Sequence, residues 1–327
     1  MNIAVIGLGT MGKVHAAAYA QMEGVRLVAV VDIRKDVVEE IAGAYHVIPY
    51  INVDEVLENK EIDVIDICLP TYLHKEVTVK GARKKKHIIC EKPIARTLQE
   101  ADEMIRICKE EGVELMIAQV LRFFPEYKKA HQAIQSGRIG KVGRIHTFRG
   151  GVFPTAWEDW YASIDKSGSL IVDMVIHDID FLRWTFGEVE RVYAKNLTGK
   201  EMNRLDHAFI SIRFRNGAIA HVEGTWSYPE GFKTELEVAG SEGILSFRSE
   251  DAVPIYLSLR SKKAGESGVA VPESPLRESP YYLELEHFIH CLKNGEKPLV
   301  TAYDAYKALE ISLAALHSAQ TGEIVTL

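Results

Sequence analysis

The chain has 327 residues, 47% apolar and 26% charged, with a net charge of −7. That length exceeds a single hydrophobic core and argues for two domains. An acidic balance without a dominant basic stripe argues against nucleic acid or an anionic membrane as the main partner.

No stretch approaches the roughly 18 uninterrupted apolar residues of a membrane span. The N-terminus opens into a strand pattern rather than a basic-then-apolar leader. Cys68, Cys90, Cys108 and Cys291 show no Cys-x-x-Cys spacing, so a cytoplasmic protein with reduced core thiols and no metal set is expected.

Taken in chain order, the first 120 residues alternate between apolar runs and amphipathic stretches. "NIAVIG" reads as a strand, followed by a helix from about Met11 to Met22. "VRLVAVVD" is a second strand, before a helix from about Lys35 to Tyr45. "VDVIDICLP", "HIICEKP" and "ELMIAQV" are three further strands, separated by helical stretches such as Thr97 to Glu111. The basic run from Arg83 to His87 sits at a predicted helix end, where cations suit the dipole. Strands that alternate with helices and are apolar on both faces make a parallel, doubly wound sheet.

After about Arg122 the pattern changes. A helix from Pro125 to Ser136 leads into alternating strands. In "HAFISIRFRNGAIAHVEGTW", Ile210, Ile212 and Phe214 share a face and Asn216-Gly217 supplies the tight turn of a hairpin. "TELEVAGSEGILSFRS" reads as a second hairpin turning near Gly240 to Gly243. Residues 262–280 read as a surface loop, and helices at Tyr281–Leu292 and Ala302–Ala319 close the chain. The expected architecture is α/β: a Rossmann domain over residues 1–122, then an α+β domain over 123–327 with a large, mostly antiparallel open sheet.

"GLGTMG" places Gly7, Gly9 and Gly12 in a G-x-G-x-x-G pattern that follows a strand and opens a helix. That context is required for dinucleotide binding. The first glycine permits the tight turn, the second a close approach of pyrophosphate, and the third close helix–strand packing. Asp32, at the end of the second strand, suits the ribose hydroxyls. A carboxylate there opposes a 2′-phosphate by about 4 kcal/mol per unit charge at ~4 Å and an effective dielectric constant near 20. NAD is therefore favoured, with NADP as the lesser alternative because Arg34 can accommodate that phosphate. Glu91, Lys92 and Pro93 follow a strand at the carboxyl edge where open α/β sheets bind ligands.

In "VDMVIHDIDFLRW", residues 172–184, Asp173, His177 and Asp180 stand at i, i+4 and i+7 of an expected single helix, within about 60° of one another. Val175, Ile179 and Leu182 form the opposite, core-facing stripe, and Asp178 falls about 100° from His177, off the shared face. Three readings of that face stay open. One is a solvated i,i+4 pair worth about 0.2–0.5 kcal/mol. Another is a metal site, for which nothing else in the sequence completes a ligand set. The third is acid–base catalysis, in which a histidine with pKa near 6.5 takes a hydroxyl proton and an aspartate orients it.

The segments "GLGTMGKVH", "CLPTYLH", "CEKP", "RFFPEY" and "GSLIVDMVIHDIDFLRW" resemble, in order and spacing, the Gfo/Idh/MocA oxidoreductases over nearly the whole chain. The resemblance implies hydride exchange between NAD and a secondary hydroxyl of a cyclic polyol, inositol, sugar or sugar derivative. It implies Lys92, Asp173 and His177 as catalytic residues. Its cofactor set is Gly7, Gly9, Thr10, Met11, Gly12, Asp32, Arg34, Leu69, Thr71, His74, Glu91, Lys92, Gln119 and Arg122. Lys92, Trp157, Asp173, His177 and Asp180 would meet substrate, with Trp160 and Tyr161 extending an aromatic wall.

Thr71 stands where the family commonly has asparagine, and "KSGSL" is poorer in glycine than the usual loop. The family also contains NAD-assisted glycosidases and non-catalytic dinucleotide-binding regulators, and these are the alternatives. A homodimer or homotetramer is expected, because helices of one domain cover only one face of a large sheet.

Overall fold

The computed structural model describes residues 1–197, 205–249, 255–259 and 279–327. The chain divides into two compact units. One comprises Met1–Val120, Asp165–Ser167 and Glu278–Leu309, and the other Leu121–Ile164, Gly168–Arg277 and Glu310–Leu327.

The first unit runs β1 (Asn2–Ile6), α1 (Thr10–Gln21), β2 (Arg26–Val31), α2 (Lys35–Tyr45), β3 (Ile48–Tyr50), α3 (Val53–Leu57), β4 (Val64–Ile67), α4 (His74–Arg83), β5 (His87–Glu91), α5 (Leu98–Glu111) and β6 (Leu115–Ala118). The strands pair in parallel in the order β3-β2-β1-β4-β5-β6. The order reverses between β1 and β4, and there the carboxyl ends of the strands leave a crevice. Every residue of β4 and β6 is buried, as the near-continuous apolar runs require.

The helix expected over Thr97 to Glu111 is fixed at both ends. The Thr97 side chain accepts from the Glu100 N–H, and Gly112 leaves the helix in the left-handed region at φ 70°. The edge strand β3 and the short α3 were not anticipated. "IPY" has three residues and a proline, a pattern that reads as loop and is tolerated only at a sheet edge.

The second unit begins with α6 (Pro125–Gln135), β7 (Val142–Val152), α7 (Ile164–Ser167), α8 (Ser169–Asp173) and α9 (Ile176–Phe186). It continues as β8 (Val189–Leu197), β9 (His207–Phe214), β10 (Ile219–Thr225), β11 (Ser227–Gly240), β12 (Gly243–Arg248) and β13 (Ile255–Leu259). Helix α10 (Pro280–Asn294) then returns to the first unit, where Leu285, Phe288 and Ile289 share a core with Tyr19 and Met22 of α1. A division of the chain at residue 122 does not contain this return. Helix α11 (Ala302–Thr321) and β14 (Val325–Thr326) end the chain.

The eight strands of the second sheet follow the order β13-β12-β11-β7-β10-β9-β8-β14. All pairs are antiparallel except β7 with β10. Both expected hairpins form. Ile212 faces Ala220 and Ile210 faces Val222 across the first, with Gly217 at φ 93° in its turn.

Ile210, Ile212 and Phe214 are buried on one sheet face. There Val175 presses so close to β10 that a Cβ on Gly224 would lie 2.4 Å from it. On the other face Phe209, Tyr193 and Leu197 are 57%, 38% and 48% exposed. Among the described residues no helix is long and apolar enough to cross a membrane. The loop expected at 262–280 lies, save its last two residues, outside the described ones.

Candidate active site

The glycine loop has the geometry its sequence promises. Gly7 sits at φ 93°, and a Cβ there would meet the Cys68 carbonyl oxygen at 2.6 Å. A Cβ on Gly12 would lie 1.7 Å from the Gly7 carbonyl oxygen, so the third glycine is enforced by backbone contact. Around Gly9 a Cβ would meet nothing within 4 Å, and this residue caps α1 without a side-chain bond. Open space in front of uncapped N–H groups at the start of a 12-residue helix fits a pyrophosphate. Thr10 and Met11 open that helix.

Asp32 is buried at the exit of β2, and its carboxylate is fully engaged. Leu8 N–H donates to Oδ2 at 2.8 Å, and Arg34 donates from Nη2 to Oδ2 at 2.7 Å, from Nε to Oδ1 at 2.8 Å and from its backbone N–H at 2.9 Å. Burial pushes this carboxyl up, but the Arg34 and Leu8 bonds outweigh it and hold it below its usual value. Arg34 is thus tied to Asp32 itself.

The carboxyl ends of β4, β5 and β6 carry the rest of this unit's candidate residues. His74 is fully buried, with Nε2 2.8 Å from the Leu69 carbonyl and Nδ1 3.0 Å from that of Pro93. It braces the loop after β4 to the turn after β5. Burial lowers its pKa, against the pull of the two carbonyls. Thr71 is buried in the short 3-10 turn between β4 and α4. Lys92 is half-buried, its peptide bond to Pro93 is cis, and its N–H donates to Glu91 Oε2 at 3.0 Å. Gln119 is wholly buried, and neither atom of its amide finds a hydrogen-bond partner. A buried orphan amide beside the strand ends is what a bound polar group would satisfy. The residues present therefore fit a dinucleotide.

In the second unit the expected single helix over 172–184 is two helices. Helix α8 ends at Asp173 and α9 starts at Ile176. Between them the Val175 N–H reaches back five residues to Leu170 at 3.0 Å, a wide turn placed where Val175 wedges against Gly224. The 100° step that grouped three polar residues on one face therefore does not run unbroken from Asp173 to His177. Asp173 is 7% exposed at the end of α8, and His177 is half-buried in the first turn of α9.

Two carboxylates of α9 are committed elsewhere. Asp180 accepts from Arg122 Nε at 2.8 Å and Nη2 at 2.6 Å, with both side chains 2% exposed or less. The Arg122 guanidinium also lies over the Trp184 ring, which stacks in parallel on His131 at 3.6 Å and meets Phe181 edge-on. Asp180 thus stands in a buried ion pair rather than on an open face with His177. Asp178, which periodicity places off the face of His177, is 1% exposed and accepts from Arg149 Nε at 2.5 Å. Periodicity alone could not show that β7 supplies a cation there.

Among the aromatics, Trp160 is buried and stacks on Tyr161 at 3.9 Å, and Tyr161 meets Trp226 edge-on. Trp157 is 52% exposed.

One group escaped the sequence reading. His15 of α1 and Asp66 of β4, both fully buried, are 2.9 Å apart, with Tyr19 Oη donating to the same Asp66 oxygen at 2.8 Å and Cys68 Sγ 3.3 Å from His15 Nδ1. The signal was an aspartate inside the apolar run "VIDIC", since a carboxylate in a strand buried on both faces needs a partner. These donor atoms lie close enough to hold a cation. They are bonded to one another instead, and burial keeps the Cys68 thiol protonated.

Comparison with known proteins agrees with this geometry. Residues 1–119 match the model of the Gfo/Idh/MocA oxidoreductase family, described as an NAD-binding Rossmann fold, and residues 127–246 match a C-terminal domain of the same family. The chain is 30% identical over 334 residues to the myo-inositol 2-dehydrogenase of Thermotoga maritima, covering 100% of this chain and 98% of that one. It is 33% identical over 345 residues to the NAD(+)-dependent scyllo-inositol 2-dehydrogenase of Bacillus subtilis, covering 100% and 96%. A levoglucosan dehydrogenase solved with NADH and levoglucosan superposes with a TM-score of 0.90 at 25% identity, covering 100% and 99%. With a glycine loop shaped for a dinucleotide and relatives aligned over its full length, the chain belongs to the Gfo/Idh/MocA family of NAD-binding oxidoreductases.

Proposed function

We propose that the protein is an NAD(H)-dependent dehydrogenase of a secondary hydroxyl on a cyclic polyol, with inositols and then sugars or sugar derivatives as its substrate class. The observation that carries this is the full-length likeness to two inositol 2-dehydrogenases in a chain that presents Lys92, Asp173 and His177. The first unit binds the dinucleotide through Gly7, Gly9, Thr10, Met11, Gly12 and Asp32. Leu69, Thr71, Glu91 and Gln119 shape its surroundings, with His74 bracing them. The bound nicotinamide supplies the hydride acceptor.

The chain's own residues manage the proton and the charge. His177 takes the hydroxyl proton, as a half-buried imidazole can. Asp173 orients that imidazole and stabilises its protonated form. Lys92 stabilises negative charge developing on the reacting oxygen. Trp157 offers an apolar face to the ring, and the Arg122–Asp180 pair serves as a rigid wall. The open face of the second sheet, with Phe209, Tyr193 and Leu197 exposed, joins a second copy of the chain.

The test is NADH formation measured across inositols, free sugars and nucleotide sugars. Saturable NADH formation with an inositol supports the reading. Cleavage of a chromogenic glycoside without net NADH would replace it with redox-assisted glycoside elimination, and NAD binding with no turnover of any polyol would make the protein a regulator.

A further inference from the structure

The buried His15 cluster lies beside the turn that carries Lys92, and the two are linked. His15 Nδ1 contacts Asp66 on β4, while Nε2 points toward β5 and lies 3.4 Å from Glu91 Oε1, an ion pair without hydrogen-bond alignment. The second Glu91 oxygen, Oε2, accepts the Lys92 N–H at 3.0 Å. One imidazole thus spans the carboxyl ends of two adjacent strands, and the far carboxylate holds the backbone of the proposed catalytic lysine.

We propose that His15 is a positioning residue: through Glu91 it fixes the turn that projects Lys92. This rests on the reading of Lys92 as a catalytic group.

The charges around the ring support a cationic imidazole. Asp66 and Cys68 face it from β4 and its exit, Tyr19 shares Asp66 from α1 itself, Glu91 faces it from β5, and Glu284 of α10 acts on Tyr19. Burial alone pushes the His15 pKa down, but the charge of the Asp66 carboxylate and its hydrogen bond to the ring oppose it, and the ring is held well above its usual value. A neutral ring would donate to Asp66 or to Glu91 but not to both, and would leave two buried carboxylates with no positive charge between them. A cation donates to Asp66 and turns its charge to the Glu91 carboxylate, so the lysine turn is tied to α1 and, through α1, to the glycine loop at its N-terminus. His74 secures the other side of the same turn by its contact with the Pro93 carbonyl.

The experiment uses the full chain as His15→Asn, Glu91→Gln and the double variant, with Lys92→Met beside them. Folding is followed by circular dichroism, NAD affinity by fluorescence titration, and kcat and KM with the polyol found by screening. His15→Asn and Glu91→Gln are each expected to lower kcat roughly 10- to 100-fold, the scale of a misplaced catalytic group, with NAD Kd of His15→Asn within about threefold. The double variant is expected to be no worse than the worse single, because both break one link.

An independent signature is the imidazole 15N signal of His15. It should report two protonated nitrogens at neutral pH, and Glu91→Gln should move its titration to lower pH. Unchanged kcat in Glu91→Gln, or kcat losses that multiply in the double variant, would overturn the proposal. So would a His15 titration indifferent to Glu91→Gln, which decides the matter even if His15→Asn does not fold. Full activity in Lys92→Met would remove the catalytic reading of Lys92 instead, leaving the nitrogen signal to judge the His15–Glu91 link by itself.

Discussion

Asp178 offers the sharpest test of how the second unit is held together. It is 1% exposed, and the Arg149 guanidinium bonded to it is 5% exposed, so Asp178→Asn leaves a buried cation without its counter-ion. Breaking a buried pair from one side costs about 3–5 kcal/mol. At a urea dependence of about 2 kcal/mol per molar, that is a midpoint lowered by roughly 1.5–2.5 M.

The assay is intrinsic fluorescence in urea, because all four tryptophans (Trp157, Trp160, Trp184 and Trp226) lie in the unit that contains the pair. The loss should change little between low and high salt, since buried charges are poorly screened. Arg149→Met combined with Asp178→Leu should recover most of it, since an apolar pair of similar volume is often neutral or better. A midpoint within about 0.3 M of the unmutated protein's, or a double variant as weak as the single, would refute the argument that this pair is buried and mutually dependent.

His177→Ala should lower kcat by roughly 10²- to 10⁴-fold while NAD Kd barely moves; retention of most activity would reassign the proton acceptor. NAD should exceed NADP in kcat/KM by at least about tenfold, and Asp32→Ser should narrow that gap, since the carboxylate opposes a 2′-phosphate. Because the folded pKa of Asp32 is lowered by Arg34 and Leu8 against the opposing push of burial, its contribution to stability is present above the unfolded value near 4 and lost as pH falls through the folded one. Asp32→Asn should therefore flatten the acid limb of a urea-midpoint profile. Phe209→Glu, at a 57% exposed position on the open sheet face, should turn the proposed oligomer into monomer by light scattering; a monomeric unmutated protein would remove that interface.

The glycine loop, five of the six parallel strands and both hairpins were legible because each is written in local period and turn chemistry. The six-residue motif from Gly7 to Gly12 with its flanking strand and helix needs no distant partner to be read. What stayed hidden depends on residues far apart in the chain. Arg149 meets Asp178 across 29 positions, Arg122 meets Asp180 across 58, and His15 meets Asp66 across 51. Periodicity assigns a side to each of these residues but is silent on what waits there, so buried ion pairs look like solvated stripes. The break between α8 and α9 was hidden for a related reason. Nothing in "VDMVIHD" stops a helix, and the wide turn coincides with Val175 meeting a glycine on a strand about 50 residues later.

The late return of α10 to the first unit has a consequence for how the protein is made. Tyr19 and Met22 leave the ribosome early, yet Leu285, Phe288 and Ile289, which share their core, emerge about 170 residues after the last strand of the parallel sheet. At about 5–20 residues per second that interval is roughly 10–30 s. Throughout it the nascent first unit carries an uncovered apolar strip along α1, a ready station for a chaperone and a point of weakness for any chain released before α10 is complete.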